Sequence, residues 1–78
     1  MSVQEKVNKI LLDNLDVSES DLVPDAPLRS KLGATSVDLV EILAALENEF
    51  DTEITDEEAR ELRTPGDVVK FIEARVPK

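Results

Sequence analysis

The stretch VDLVEILAALENEF, residues Val37–Phe50, decides the fold of this chain. It contains no Gly or Pro and is rich in Leu, Ala and Glu, which favour an α-helix. At helical spacing, its larger apolar side chains fall on a single stripe, formed by Leu39, Ile42, Leu43, Leu46 and Phe50. The stretch therefore predicts a long amphipathic helix, and the rest of the chain must supply elements for this stripe to pack against.

A second, semi-apolar face remains on the same helix. It is formed by Ser36, Val37, Val40, Glu41, Ala44 and Glu47. A helix needs only one stripe to pack, so the second face suggests a docking surface. The alternative interpretation is that single exposed valines are ordinary on a protein surface.

The charge pattern favours docking. Residues 38–58 contain nine acidic residues and no basic one. Such a run is usually a solvated face, but like charges held on one element repel one another. Arginine and lysine side chains of a partner would offset this repulsion.

Upstream, the chain predicts a first helix. Ser2 and Glu5 have the spacing of a capping box, in which each residue satisfies a free backbone N–H of the other. Apolar residues then recur on one face, at Val3, Val7, Ile10 and Leu11. We expect this helix to run to about Asn14 or Leu15.

Between the two helices, residues 16–35 predict a long loop. The helical periodicity fades, and regular structure is interrupted at Ser18, Ser20, Pro24, Pro27 and Gly33. Loops of this length are uncommon in compact domains and are usually functional or disordered. Apolar residues favour a loop folded back onto the core, with one helical turn near residues 19–22; they are Leu22, Val23, Leu28 and Leu32.

Downstream, two more helices are predicted. Thr55 and Glu58 form a second capping box, which begins a short helix ending near Leu62. The pair Thr64–Pro65 is a standard start for a last helix, which Pro77 ends. We expect one all-α domain over residues 1–78, a four-helix bundle with a long loop between helices one and two and a short third helix.

Composition excludes several classes of function. The 78 residues include no Cys and no His, so neither disulfides nor the usual soft-ligand metal sites are expected. The net charge of −9 repels nucleic acid phosphates and anionic lipid surfaces. The N-terminus lacks a secretory signal pattern, and no apolar run is long enough to span a membrane. We expect a cytoplasmic monomer without a metal site.

Ser36 is the candidate functional residue at the start of the second helix. It follows Gly33 and Ala34, so its hydroxyl should be exposed among small neighbours. An ordinary helix-capping role for Thr35 or Ser36 is one interpretation. A phosphate-bearing group on Ser36 is another, because the N–H groups and the dipole of a helix N-terminus favour an anion. Serine catalysis is disfavoured because the chain has no histidine to act as the base.

At this point the sequence resembles the acyl carrier protein family. The similarity centres on LGATSVDLVE, residues 32–41, and continues through ALENEFDTEI, residues 45–54. It extends over DEEA, residues 56–59, and over the start of the last helix at TPGDVV, residues 64–69. With the matching order of helices, the resemblance covers essentially the whole chain.

The resemblance implies a carrier and not an enzyme. In this family a phosphopantetheinyl transferase moves 4'-phosphopantetheine from coenzyme A to the serine of an Asp-Ser-Leu motif, which corresponds here to Ser36. The terminal thiol of that arm holds acyl groups as thioesters and delivers them to enzymes of fatty acid or related lipid biosynthesis. A chain without cysteine can therefore take part in thioester chemistry.

The resemblance also implies two groups of binding residues. Docking to the basic patches of partner enzymes is expected at Val37, Asp38, Val40, Glu41 and Glu47. An acyl pocket between the helices is expected to include Leu39, Leu46 and Ile54, although these residues could also be plain core.

Several alternatives stay open. Thr35 and Val37 stand where the family has Asp and Leu, which raises the alternative of a specialised carrier with its own partners. Carriers of aminoacyl or polyketide groups share the fold and the serine. An acidic interaction protein that is never modified is a further alternative. A calcium-binding helix-loop-helix is disfavoured because the acidic stretch after residue 50 lacks the Gly that an EF-hand loop needs at its turn.

Overall fold

In the computed structural model, which describes residues 2–76, the chain is all-helical and contains no β-strand. The elements are α1 (Val3–Asn14), a 3₁₀ turn (Glu19–Asp21), α2 (Ser36–Phe50), α3 (Asp56–Arg60) and α4 (Pro65–Arg75). The expected all-α architecture is confirmed, including the long loop before α2 and the short third helix. No helix in this part of the chain combines the length and the apolar character that crossing a membrane requires.

The helix starts lie where the capping residues predict them. At α1, the Ser2 hydroxyl accepts from the Glu5 N–H at 3.1 Å, and the Glu5 carboxylate accepts from the Ser2 N–H at 3.1 Å. Thr55 and Glu58 repeat this capping box at α3. At α4, the Thr64 hydroxyl caps the helix. Each cap satisfies N–H groups that have no acceptor inside the helix.

The helix ends differ slightly from expectation. The short helix α3 ends at Arg60 and not near Leu62. The chain then tightens, because Glu61 and Leu62 donate their N–H groups to carbonyls three residues back, as in a 3₁₀ turn. The expected stop at Pro77 lies outside the described residues.

The core is formed by helices and loop together. Helix α1 packs against both α2 and α4. Buried apolar side chains come from the helices at Val7, Leu11, Ile42, Leu46, Val68 and Ile72. The long loop contributes as well, with Leu22, Ala26, Leu28, Leu32 and Ala34 buried. The loop therefore folds back onto the core, as its apolar residues predict.

Two backbone hydrogen bonds fix the loop against the α3–α4 connection and the start of α4. The N–H of Gly66 donates to the carbonyl oxygen of Pro24 at 2.9 Å, and the N–H of Leu28 donates to that of Arg63 at 2.8 Å. A Cβ atom at position 66 would lie only 2.7 Å from the Pro24 oxygen, so the close approach requires glycine. The loop is thereby held beside the α3–α4 connection.

Candidate functional site

The start of α2 is capped by Thr35, and Ser36 is the first residue of the helix. The Thr35 hydroxyl accepts from the Asp38 N–H at 3.1 Å, and the Asp38 carboxylate accepts from the Thr35 N–H at 3.0 Å. The interpretation of Ser36 as the cap is therefore wrong, since Thr35 already occupies that position. The Ser36 hydroxyl is therefore not needed to cap the helix.

Ser36 is exposed at the positive end of the α2 dipole. Its hydroxyl makes no hydrogen bond to any residue in the range 2–76 that the structure describes. The first helical hydrogen bond runs from the Leu39 N–H to the Thr35 carbonyl oxygen at 3.0 Å, so the N–H groups of Ser36 and Val37 precede it. A substituent on Ser36 would project into solvent beside free N–H donors, without displacing core atoms.

The face of α2 next to Ser36 is apolar and exposed. Val37 and Val40 are 66% and 65% exposed, and Ala44 is exposed on the same face. Among the described residues, the other large hydrophobic side chain that is strongly exposed is Val23 in the loop. Two of the three such side chains therefore lie within about one turn of Ser36, which matches the second face that the sequence predicts.

The three carboxylates of this face differ in their surroundings. Glu41 is exposed and contacts no hydrogen-bonding or cationic partner among residues 2–76. Asp38 is half-buried and belongs to the capping box. Glu47 is half-buried, and its carboxylate accepts from the Ile54 N–H at 2.9 Å. Asp38 and Glu47 thus have structural roles that the sequence analysis missed, although the Thr-x-x-Asp spacing could have indicated the first.

A cleft of about 520 Å³ opens beside the core stripe of α2. Leu39 and Leu46, two of the three residues that the family resemblance suggests for an acyl pocket, line this cleft. Ile54 is half-buried in the α2–α3 connection and does not line the cleft. The remaining lining residues are Pro27, Leu28, Arg29, Ser30, Ile42, Leu43, Ala59, Arg60, Leu62, Arg63 and Val68.

The arginines of this cleft are the main feature that the sequence analysis missed. Arg29, Arg60 and Arg63 come from the loop, the end of α3 and the α3–α4 connection. Arg60 and Arg63 are only three residues apart, but Arg29 joins them through the path of the loop, which no local pattern predicts. Elsewhere, the structure shows no group of three or more acidic residues within 2–76 that is arranged to hold a metal ion.

Comparison with known proteins identifies the family. The family model described as a phosphopantetheine attachment site matches residues 5–72. The solved structure of an acyl carrier protein from Enterococcus faecalis is 32% identical in sequence and superposes with a TM-score of 0.81, covering 95% of this chain and 98% of that chain. This chain belongs to the acyl carrier protein family. The fold and family expected from the sequence resemblance are both confirmed.

Acyl carrier proteins are non-catalytic carriers that interact with phosphopantetheinyl transferases and with acyl-handling enzymes. Their shared domain is the site of phosphopantetheine attachment, so the cofactor expected for this chain is confirmed. The start of α2 fits that group, because it combines an exposed hydroxyl at Ser36 with backbone N–H groups that lack helical acceptors.

Proposed function

We propose that Ser36 is the residue that carries 4'-phosphopantetheine, and that this acyl carrier protein delivers acyl groups to enzymes of fatty acid or related lipid biosynthesis. The observation that carries the proposal is that the cap at the start of α2 does not use the Ser36 hydroxyl. Thr35 and Asp38 satisfy each other in the capping box, and Ser36 is left exposed with its hydroxyl unused. When bound, the arm supplies the terminal thiol that holds the acyl group as a thioester.

The residues around Ser36 would hold the phosphate end of the arm. The N–H groups of Ser36 and Val37 have no helical acceptor, and the α2 dipole points its positive end at this position. Both features favour a negatively charged substituent. The neighbouring Gly33 and Thr35 are small and exposed, which leaves room for a transferase to reach the hydroxyl.

The docking surface of the proposal is the exposed face of α2. Val37 and Val40 would form its apolar centre, while Asp38, Glu41 and Glu47 would provide negative charge. An apolar centre with a charged rim is the usual composition of a protein interface. The partners would be the phosphopantetheinyl transferase and acyl-transferring enzymes with basic patches, bound by a carrier that acts as a cytoplasmic monomer.

The cleft is the proposed acyl pocket. Leu39 and Leu46 line it from α2, where Leu46 belongs to the core and Leu39 packs against it. We restrict the pocket to these two of the three residues that the sequence suggests, because Ile54 lies away from the cleft.

A specialised carrier, for aminoacyl or polyketide groups, is the second candidate. It is favoured by Thr35, which preserves the helix cap but lacks the carboxylate of the family's Asp-Ser-Leu motif. Loading experiments with several transferases distinguish the two candidates, because a specialised carrier should accept the arm only from its own transferase.

The attachment is tested by intact mass spectrometry. We expect the full chain, incubated with coenzyme A and a broad-specificity or cognate transferase, to gain one phosphopantetheine mass. The Ser36→Ala variant should gain none while keeping its helical circular dichroism. As a matched control, Ser20→Ala removes another exposed serine and should still be modified. Mass gained by Ser36→Ala, or no gain by the unmutated chain with any transferase, would refute the attachment at Ser36.

The cargo and the oligomeric state need separate measurements. Mass spectrometry of protein purified from its native host should show a fatty acyl group on the arm, whereas an aminoacyl or polyketide mass would support the second candidate. Size-exclusion chromatography of the full chain should give the elution volume of a monomer, and elution as a dimer would contradict that part of the proposal.

A further inference from the structure

The cleft beside α2 has a charge opposite to that of the protein. The chain carries 18 acidic and 9 basic residues, yet none of the residues that line the cleft is Asp or Glu. Three arginines do line it, Arg29, Arg60 and Arg63, together with the hydroxyl-bearing Ser30. The floor is apolar, with Leu39, Ile42, Leu43 and Leu46. The cleft thus combines a long apolar surface with a cationic rim.

The three guanidinium groups are available to a ligand. None of them lies within ion-pair distance of a carboxylate, or donates a side-chain hydrogen bond, among residues 2–76. By contrast, Arg75 pairs with Glu58 and Lys6 pairs with Glu49 elsewhere on the surface. Lys9, Lys31 and Lys70 also lack an ion pair among residues 2–76, so the distinguishing feature of the three arginines is that they lie together on one apolar cleft whose lining contains no carboxylate.

The backbone holds two of these arginines in place. The N–H of Leu28 donates to the carbonyl oxygen of Arg63 at 2.8 Å, which places Arg29, the next residue along the loop, close to Arg63 in the chain path. The Asp67 carboxylate accepts from the Arg63 N–H at 3.2 Å. That carboxylate therefore contacts the backbone of Arg63 and does not pair with its guanidinium group.

We propose that this cleft is a non-covalent binding site for a free fatty-acid anion, with its hydrocarbon tail on the leucine floor and its carboxylate among Arg29, Arg60 and Arg63. Guanidinium groups bind carboxylates through paired N–H donors, which suits a rim of arginines better than one of lysines. The thioester of an arm-borne acyl group has no charge, and the phosphate of the arm would lie at the free N–H groups of Ser36 and Val37, so the arm would leave these arginines without a partner. The inference goes beyond the proposed function, because it requires no arm on Ser36.

The overall negative charge does not prevent this binding. At about 0.15 M salt the Debye length is about 8 Å, so exposed carboxylates farther than this from the rim are largely screened. The arginines lie at the rim itself and act within contact distance. Affinity for the anion should therefore be weakest at very low salt, where the distant acidic residues also contribute repulsion.

Decanoate and decan-1-ol test the proposal because they differ in charge but share the same chain length. Both are titrated into the isotope-labelled full chain, decanoate below its micelle-forming concentration and decan-1-ol below its solubility limit, and amide and methyl NMR shifts are followed. We expect the shifts to concentrate at the cleft and decanoate to bind about ten-fold more tightly, since each exposed ion pair contributes at most a few-fold. Each methylene added between octanoate and decanoate should tighten binding about three- to four-fold.

Two triple variants with the same change in net charge provide the control. Replacing Arg29, Arg60 and Arg63 by Gln should weaken decanoate binding about ten-fold and leave decan-1-ol binding unchanged. Replacing the exposed Lys9, Lys31 and Lys70 by Gln should leave the preference for decanoate intact. Equal binding of the two ligands, an equal loss in both variants, or shifts away from the cleft would each overturn the proposal.

The same titration on Ser36→Ala separates this inference from the proposed function. That variant cannot carry an arm, but its cleft is unchanged, so it should bind decanoate as the unmutated chain does. Loss of decanoate binding in a folded Ser36→Ala protein would overturn the non-covalent site. A failure of phosphopantetheine attachment, in contrast, would leave the decanoate result standing.

Discussion

Thr35 shows how one residue can replace another without changing the local structure. It stands where acyl carrier proteins have an aspartate, and its hydroxyl performs the capping that a carboxylate could also perform. The negative charge near the helix N-terminus is supplied instead by Asp38, three residues later in the same capping box. The geometry that presents Ser36 is therefore kept, while the residue next to the hydroxyl becomes neutral.

The cap makes a stability prediction. Thr35→Ala should lower the free energy of unfolding by about 1 kcal/mol, because the Asp38 N–H loses its acceptor. Thr35→Asp should cost little, since aspartate caps at least as well. Urea unfolding followed by circular dichroism measures both. Thr52→Ala serves as the control, because the Thr52 hydroxyl makes no hydrogen bond to the described residues. An equal loss at positions 35 and 52 would contradict the capping role.

A second residue-scale prediction concerns Glu5. Hydrogen bonding to the Ser2 backbone N–H, and secondly to the Ser2 hydroxyl, lowers the pKa of Glu5 below its ordinary value of 4.5. A lowered pKa in the folded state means that the stabilisation is present above the unfolded pKa and is lost as pH falls through the folded one. We expect a carbon-13 NMR titration to place the Glu5 midpoint below 4.5. In Ser2→Ala, which keeps the backbone donor, the midpoint should move part of the way back.

At the scale of the element, α2 performs two tasks on two faces. Ile42 and Leu46 are buried in the core, while Val37, Val40 and Glu41 face solvent beside Ser36. Because the two faces share no side chains, a substitution on one should leave the task of the other intact. Stability and partner binding can therefore be changed separately within a single helix.

The core face is tested by Leu46→Ala. Leu46 is fully buried, so its truncation should cost about 2 to 5 kcal/mol through lost apolar burial and the cavity that remains. Urea unfolding measures the loss. Val40→Ala is the control, because it truncates an exposed side chain of α2 and should change stability by less than about 1 kcal/mol. Equal losses in Leu46→Ala and Val40→Ala would contradict the assignment of the faces.

The docking face is tested by Glu41→Lys. Exposed charges accelerate encounter more than they add affinity, so this variant should mainly slow association with a partner enzyme and should remain folded. The effect should shrink as salt is raised, because screening shortens the range of the charge. Stopped-flow association measures the rates, and Glu73→Lys, an exposed reversal on α4, is the control. Unfolding of Glu41→Lys, or an unchanged rate at low salt, would contradict the prediction.

At the scale of the whole molecule, negative charge is concentrated in one region. Residues 38–58 carry nine acidic residues and no basic one, and the described residues provide that run with two ion pairs, Lys6–Glu49 and Arg75–Glu58. Surface pairs of this kind contribute little stability. Most of the repulsion within the run therefore remains in the folded protein.

Screening that repulsion should stabilise the fold. We expect the melting temperature to rise when salt or a millimolar divalent cation is added, as measured by circular dichroism or calorimetry. A variant that neutralises part of the run outside any first helical turn, Glu41→Gln with Glu53→Gln, should start from a higher melting temperature and respond less to salt. A melting temperature that stays the same or falls with salt would mean that the run does not destabilise the fold.

Local chemistry made most of the fold predictable from the sequence. Capping boxes and the Thr64–Pro65 pair locate the helix starts because each depends on residues only a few positions apart. The choice of Thr35 over Ser36 as the cap of α2 was also predictable, because Asp38 stands three residues after Thr35 and completes a capping box, whereas Leu39 stands three residues after Ser36. The lining of the cleft was not predictable, because Arg29 and Arg63 meet only through the path of the loop.

The two backbone hydrogen bonds between the loop and the α3–α4 region also make opening of the cleft measurable by hydrogen exchange. Pro27, Leu28, Arg29 and Ser30 form one wall, and the loop cannot swing outward while Leu28 and Gly66 donate to Arg63 and Pro24. Solvent deuterium can replace the amide protons of Leu28 and Gly66 only when this wall detaches. The exchange rates of those two protons therefore measure how often the cleft opens. A ligand bound in the cleft should slow the exchange of both.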